Sequence, residues 1–374
     1  MFDRPFWEKR IKESWQKAPI VWLSGPRRSG KTTISKMIGK DDGLYVNCDL
    51  PSSADMLKNP EIFFKDLNKK IVIFDEIHNL KDPSLVLKIG ADNFSHIKII
   101  ATGSSTLAAS HKFRDTLTGR KRDVRLLPVL KAELADFGGI SLQKRIYHGG
   151  LPPALLSKEK DNSFYREWSD SFFSRDIQKL FGFKDWSKFN IFLEYLMKES
   201  GGIFEISKAS SVLGISRITV SSWLRALEIT GTVNVLRPFF GGKKGEITKM
   251  PKVYGFDTGF VSFFKGWQPL RNTDLGFLWE HIVLDHLLAL NPDKPVRYWR
   301  DKSGYEVDFV IPCADGFVDA YECKWSPDEF SPSSLKSFRE IYPKGNNYLI
   351  TPLEAEYRKD YKGLKVILKT ISLK

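Results

Sequence analysis

Gly25-Pro26-Arg27-Arg28-Ser29-Gly30-Lys31-Thr32 fits the phosphate-loop pattern G-x-x-x-x-G-K-[ST] at every position. Its flanks fit as well. Ile20-Val21-Trp22-Leu23 before it reads as a buried strand, and Thr33-Ile34-Ser35-Lys36-Met37-Ile38 after it carries apolar residues at helical spacing. Strand, glycine-bearing loop and helix form the context in which the motif has meaning. The glycines let successive N–H groups turn inward onto phosphates, and the helix N-terminus adds partial positive charge. Lys31 is placed to reach the β- and γ-phosphates, and the Thr32 hydroxyl to reach Mg²⁺. The loop residues Gly25 to Thr33 are therefore the expected ATP contacts.

A second apolar strand, Ile71-Val72-Ile73-Phe74, runs into Asp75-Glu76, as a Walker B strand does. Asp75 is expected to hold the Mg²⁺ shell and Glu76 to polarise the attacking water. Asp75-Glu76-Ile77-His78 is spelled like a helicase box, but nothing else in the chain reads as a helicase core. His78 is read as a surface residue or one supporting the site from behind. Ile97 to Thr102 reads as a further strand, lying between the two Walker strands and ending in Gly103-Ser104-Ser105. Ser104 is the expected γ-phosphate sensor, and Thr102 or Ser105 serves equally well on chemistry. Gly119-Arg120-Lys121-Arg122-Asp123-Val124-Arg125 is either a solvated loop before a strand at Val124–Leu127 or the carrier of an arginine finger. Arg120 is the first candidate for that finger, with Arg122 and Arg125 next.

These segments, with Leu117-Thr118-Gly119-Arg120, resemble the prokaryotic AAA+ ATPases that carry a C-terminal extension of uncharacterised function. That family's phosphate loop usually opens Gly-Pro-Arg-Arg, as here. The resemblance runs on through Gly149-Gly150-Leu151-Pro152, Phe173-Ser174-Arg175-Asp176-Ile177 and Pro251 to Gly259. For the first two of these, a Gly-Gly turn and a helix with a salt-bridged Arg-Asp pair explain the residues equally well.

The 374 residues exceed one ordinary core, and 42% hydrophobic with 28% charged residues is a globular composition. A net charge of +13 favours a polyanionic partner, DNA foremost, although a membrane surface uses the same charge. No apolar run approaches the roughly 18 residues needed to span a bilayer. Met1–Trp15 has no apolar signal-like segment. Cys48, Cys313 and Cys323 lack metal-type spacing and read as reduced thiols of a cytoplasmic protein.

Residues 137–198 read as helices, a lid and linker. Beyond them, Lys208–Leu213 and a helix capped by Ser216 flank a turn at Gly214-Ile215. The second helix buries Val220, Trp223, Leu224 and Leu227 and offers Arg217, Ser221 and Arg225 on its other face. Thr232–Leu236 and Lys252–Phe256 form a hairpin whose tip carries Lys243 and Lys244. This is a winged helix-turn-helix, a DNA binder or a protein-docking module.

In the last third, Glu280 lies on an amphipathic helix, Asp308 on an alternating strand, and Glu322 with Lys324 on one face of another. Acid, then acid-x-Lys on a neighbouring strand, with a helical Glu, is the PD-(D/E)XK nuclease arrangement, in which the carboxylates of Glu280, Asp308 and Glu322 hold one or two Mg²⁺ ions, Asp308 and Glu322 foremost, and Lys324 helps generate or steer the attacking hydroxide. The resembled family has a nuclease-like domain here, with the same Gly304–Phe309 and Glu322–Lys324 pieces. A domain that only binds is the other reading. Arg297-Tyr298-Trp299-Arg300 is offered to a phosphate backbone.

The expected architecture is α/β: a P-loop AAA+ core (1–136) with a helical lid (137–198), a winged helix (199–256) and a restriction-endonuclease-like α/β domain (257–374). The expected activity is Mg²⁺-dependent ATP hydrolysis in a homo-oligomer acting on DNA. The competing class is a nucleotide-driven scaffold for protein partners.

Overall fold

The computed structural model describes residues 2–103, 111–178, 181–241 and 250–373. Two compact units divide the chain: Met1–Leu127 with Asp170–Phe183 and Ile229–Gly231, and the remaining segments from Pro128 onward.

The first unit is built on a parallel five-stranded sheet, β1 (Ile20–Ser24), β2 (Gly43–Asn47), β3 (Ile71–Asp75), β4 (Lys98–Ala101) and β5 (Lys121–Arg125). Its order is β2-β3-β4-β1-β5, so β4 does separate the two Walker strands. The strands read as apolar runs because helices cover them: Trp22, Val72, Phe74, Ile99 and Ala101 are packed with Phe64, Leu87 and Phe113 in one core. β5 begins earlier than the Val124–Leu127 strand expected from the sequence. It is an edge strand paired only with β1, and an edge tolerates the charged residues that read as a loop.

In the second unit, helices Leu142–His148, Pro152–Leu156 and Trp186–Lys198 precede the helix pair Ile206–Leu213 and Arg217–Ile229. Gly214 turns between that pair in the left-handed region, and Ser216 Oγ accepts the Thr219 N–H at 3.1 Å as the expected cap. Trp223 packs edge-on to Phe189. β6 (Val233–Leu236) and β7 (Lys252–Gly255) pair antiparallel. The second sheet is mixed, in the order β12-β13-β11-β10-β9-β8, with β8 Arg297–Arg300, β9 Glu306–Pro312, β10 Val318–Cys323, β11 Asn347–Ile350, β12 Tyr357–Tyr361 and β13 Leu364–Lys369.

The helix Asn272–Leu290 that carries Glu280 is not amphipathic as expected. Leu278, Trp279, His281, Ile282, Val283, Asp285, His286 and Leu287 are all buried, because β10 and the helices Leu142–His148 and Thr258–Phe264 pack around it. Tyr298 and Trp299 are likewise core residues, which corrects their reading as phosphate partners. Gly149 and Gly150 also have a packing reason. A Cβ on Gly149 would meet Asp257 Oδ1 at 1.9 Å, and the Gly150 N–H donates to Asp257 Oδ2 at 2.6 Å. Fully buried Arg145 beside them donates to Asp285 at 3.2 Å and Thr258 at 3.0 Å. Among the described residues, no helix is long and apolar enough to cross a membrane, and the three cysteines are unpaired.

Burial holds two histidines of the long helix neutral, lowering His281 to about 4 and His286 to about 3. His286 Nε2 accepts the Ala132 N–H at 3.3 Å, with Nδ1 on the Ile282 carbonyl at 2.9 Å. The unfolded chain protonates both near pH 6.5 and the folded chain does not, so stability falls as pH drops below 6.5 toward 4. Denaturant titrations should show a loss approaching about 1.4 kcal/mol per pH unit for each histidine. His281→Phe should flatten the slope between pH 6 and 5 by roughly one proton's worth.

Candidate functional site

The phosphate loop leaves β1 at Ser24 and enters the helix Lys31–Ile38. Gly25 sits at φ 140°, and a Cβ there would lie 2.2 Å from the Leu126 carbonyl oxygen, so only glycine fits. Arg4 clamps the loop from below: its guanidinium donates to the carbonyls of Ser29 at 3.2 Å and Leu127 at 3.1 Å. Lys31 Nζ donates to the carbonyls of Gly25 at 3.0 Å and Pro26 at 3.1 Å. Burial lowers its pKa, and Glu76, Asp176 and Asp75 oppose that. Arg27 pairs with Asp176 at 3.2 Å, in the π-helical segment Phe173–Gln178. Asp176 of the Phe173–Ile177 landmark thus finds its partner in the phosphate loop.

Asp75 ends β3 and gathers three donors. Thr32 Oγ1 donates to Oδ2 at 2.8 Å, Tyr45 OH to Oδ2 at 2.7 Å, and Thr102 Oγ1 to Oδ1 at 2.5 Å. Thr102 Oγ1 also accepts the Glu76 N–H at 3.0 Å. Glu76 is left-handed at φ 56°, and its carboxylate faces His78 Nδ1 at 3.2 Å. The hydrogen bond to His78 holds Glu76 below the usual carboxylate range against the effect of burial. The Thr32 hydroxyl and the Asp75 carboxylate, hard oxygens already side by side, fit a Mg²⁺ ion. Of the three polar candidates at the end of β4, Thr102 touches the Walker B pair. Ser104 and Ser105 lie outside the described residues.

Arg120 makes a bidentate pair with Asp92 of its own chain, at 2.5 and 3.0 Å. Its carbonyl accepts the Ile20 N–H at 3.2 Å, which fixes it beside the start of β1. The phosphate loop leaves the other end of that five-residue strand, about 16 Å away.

Arg217, Ser221 and Arg225 are exposed on their helix. Lys243 and Lys244 lie outside the described residues. A groove of about 430 Å³ runs beside Ser221, Arg225, Glu228, Arg237 and Arg297. Arg237 pairs with Glu228 at 3.2 Å.

In the second sheet, Asp308 Oδ2 accepts the Cys323 N–H at 2.8 Å, and Lys324 Nζ lies 3.6 Å from Glu322 Oε2. Glu322 is 5% exposed, and its Oε1 has no hydrogen-bond partner among the described residues. Burial and the neighbouring Asp308 raise its pKa well above the ordinary carboxylate value. Glu280 is raised to about 7 by burial, and it accepts from Tyr254 OH. Lys252, unremarked in the sequence, enters this cluster from β7. Among the described residues, no group of three or more His, Cys, Asp and Glu side chains is close enough to hold a metal ion. Asp308 and Glu322 are hard oxygen donors of the kind a divalent ion takes, and one Glu322 oxygen is unpartnered among the described residues. Arg4, Tyr45 and Lys252 were given no role by the sequence reading, and Asp176 was read without its partner Arg27, since each acts on a residue distant in sequence.

The Asp75 linkage makes a sharp prediction. Glu76→Gln should bind ATP within about threefold of wild type in a fluorescent-nucleotide titration, while turnover falls about 10²–10⁴-fold. Thr102→Val should reduce turnover in the same direction, because Asp75 and the Glu76 backbone lose a shared hydroxyl.

Residues 17–135 match the family described as an AAA domain. Residues 140–271 and 275–370 match two families described as domains of unknown function, DUF8612 and DUF4143. The chain is 27% identical over 312 residues to the uncharacterised protein Rv2008c of Mycobacterium tuberculosis, covering 81% of this chain and 69% of that one. The uncharacterised protein Mb2031c of Mycobacterium bovis matches to the same extent. A solved structure, the Walker-type ATPase PABY2304 of Pyrococcus abyssi, overlaps with a TM-score of 0.46 at 15% identity, over 71% of this chain and 96% of that one. Along the chain, the match to an AAA domain is thus followed by matches to two domains of unknown function.

Proposed function

We propose that the chain couples ATP hydrolysis to action on a nucleic acid. The observation that carries the hydrolytic part is the linkage of Thr32, Asp75, Thr102 and Glu76 through shared hydrogen bonds. Phosphate-loop residue, metal-holding carboxylate and water-activating carboxylate are thereby fixed relative to one another before substrate arrives, as electrostatic preorganisation requires. Bound Mg·ATP supplies the transferable phosphoryl group and neutralises its charge. The backbone from Gly25 to Thr33 cradles the phosphates, and Lys31 exchanges its two carbonyl partners for phosphate oxygens. Thr32 and Asp75 hold the ion, Glu76 takes a proton from the attacking water, and Ser104 senses the γ-phosphate.

Arg120 stands too far from its own phosphate loop to serve it, so we assign it to a neighbouring copy's site in a homo-oligomer. There it would exchange Asp92 for the transferring phosphoryl group. Mixing Arg120→Ala chains with Lys31→Ala chains should then restore at least a tenth of wild-type turnover, since mixed interfaces pair an intact site with an intact finger. Normal turnover by Arg120→Ala alone would remove the assignment.

The nucleic-acid part rests on the +13 net charge and on the exposed row Arg217, Ser221 and Arg225. The latter two border the arginine-bearing groove. We divide the chain by role into 1–136 (ATPase), 137–198 (lid), 199–256 (winged helix) and 257–374. The last segment runs two helices, β8, β9, β10, helix, β11, β12 and β13, with acids on β9 and β10. That order supports a restriction-endonuclease-like reading in which Asp308 and Glu322 hold a divalent ion and Lys324 stabilises charge on a phosphodiester. A protein-docking scaffold is the second reading, favoured by Ile218 and Val212, apolar yet 83% and 62% exposed on the helix pair. Anisotropy of a labelled DNA duplex discriminates the two. A nucleic-acid enzyme should lose at least 100-fold in affinity between 50 and 200 mM salt, and Arg225→Ala should lower the salt slope by about one. No binding at about 50 mM salt would leave the scaffold.

A further inference from the structure

Lys252 opens β7, the strand that returns from the wing hairpin, yet it is only 4% exposed. A buried ammonium survives only where opposite charge meets it at close range. Here Nζ lies 2.5 Å from Glu306 Oε1 and 3.7 Å from Glu280 Oε1. The Tyr298 ring adds a π face 5.6 Å away. Glu280 Oε1 also accepts from Tyr254 OH, and Glu306 Oε2 faces Arg300 at 3.5 Å. Both carboxylates on this side of the pocket are satisfied by the chain's own cations and hydroxyl.

The other side differs. Asp308 has one oxygen on the Cys323 N–H and Glu322 has one oxygen near Lys324, but Glu322 Oε1 is buried without a partner among the described residues. Four carboxylates thus face three cations, and the shortfall falls at Glu322. A divalent ion at Glu280 and Glu306 would stand within a few ångströms of a fixed ammonium and be repelled. One at Asp308 and Glu322 meets an oxygen in need of a partner.

We propose that Lys252 is a built-in cation of the C-terminal pocket, filling its Glu280–Glu306 side so that the pocket takes one divalent ion, at Asp308 and Glu322, and not a pair. The ion rests on the nuclease-like reading above; the occupancy by Lys252 does not. The winged-helix strand is by this account part of the pocket's wall, and it sets how many ions the pocket admits.

Calorimetric titration of MnCl₂ into the full chain without nucleotide tests this, counting sites in excess of those on Asp308→Asn. Wild type should show one excess site, and Lys252→Met should show two. Glu280→Gln, which removes a charge instead of stranding one, should keep the single site with affinity within about threefold. A Lys252→Met chain that still holds one site would overturn the proposal. So would a Glu280→Gln chain that loses Mn²⁺ affinity tenfold or more, since Glu280 would then be a ligand. If Lys252→Met does not fold, Glu280→Gln decides alone. If wild type shows no excess site, the nuclease-like reading falls, and a site gained in Lys252→Met still upholds the role of Lys252 while none gained overturns it.

Discussion

The first unit depends on one buried carboxylate. Asp75 is buried at the end of β3, and a carboxylate removed from water needs donors aimed at it. Thr32 from the phosphate-loop helix, Tyr45 from β2 and Thr102 from the tip of β4 supply them. Each donor sits on a different element, so satisfying one side chain fixes the mutual placement of three. The position of Glu76 follows. Its N–H is spent on Thr102, the chain turns left-handed there, and the carboxylate is delivered to His78. Glu76 itself is a non-glycine residue held at positive φ, so strain is stored in the residue whose carboxylate that turn aims.

The second unit applies the same rule with different parts. Arg145 is fully buried, and Asp285 and Thr258 meet its guanidinium. Asp257 is buried against the backbone N–H groups of Gly150 and Gly259. A side chain on Gly149 would push that carboxylate out. The Gly149-Gly150 pair therefore belongs to the scaffold, a matter of room around two buried charges.

How much of this was legible follows from the range of the forces involved. The phosphate loop, the β3 strand with its acids, and the helix-turn-helix were readable because each is written in contiguous residues with local periodicity or turn chemistry. The two faces of the helix Arg217–Ile229 came out as expected, with Val220, Trp223 and Leu227 inside and Arg217, Ser221 and Arg225 outside. What escaped was long-range. Arg4 acts on Ser29 and Leu127, Asp176 on Arg27, and Lys252 on Glu280 and Glu306. No spacing rule marks such pairs, because the partners meet only after folding. The Asn272–Leu290 helix was misjudged for a related reason: its polar positions Asp285, His281 and His286 are buried with partners, so polarity did not signal a wet face.

The two sites differ in what their lysines hold, and that difference decides how each can be used. Lys31 rests on two neutral carbonyls, which hold an ammonium less strongly than an anion does. A phosphate, carrying full negative charge, outcompetes a carbonyl for an ammonium, so the phosphate loop yields its lysine to a nucleotide at little cost. Lys252 rests on two carboxylates in a buried setting, where charge-assisted bonds are stronger and a lost partner leaves an unpaired charge. No ordinary anion displaces those. The first lysine is exchangeable and suits a site that fills and empties in every cycle, while the second is fixed and belongs to the wall of its pocket.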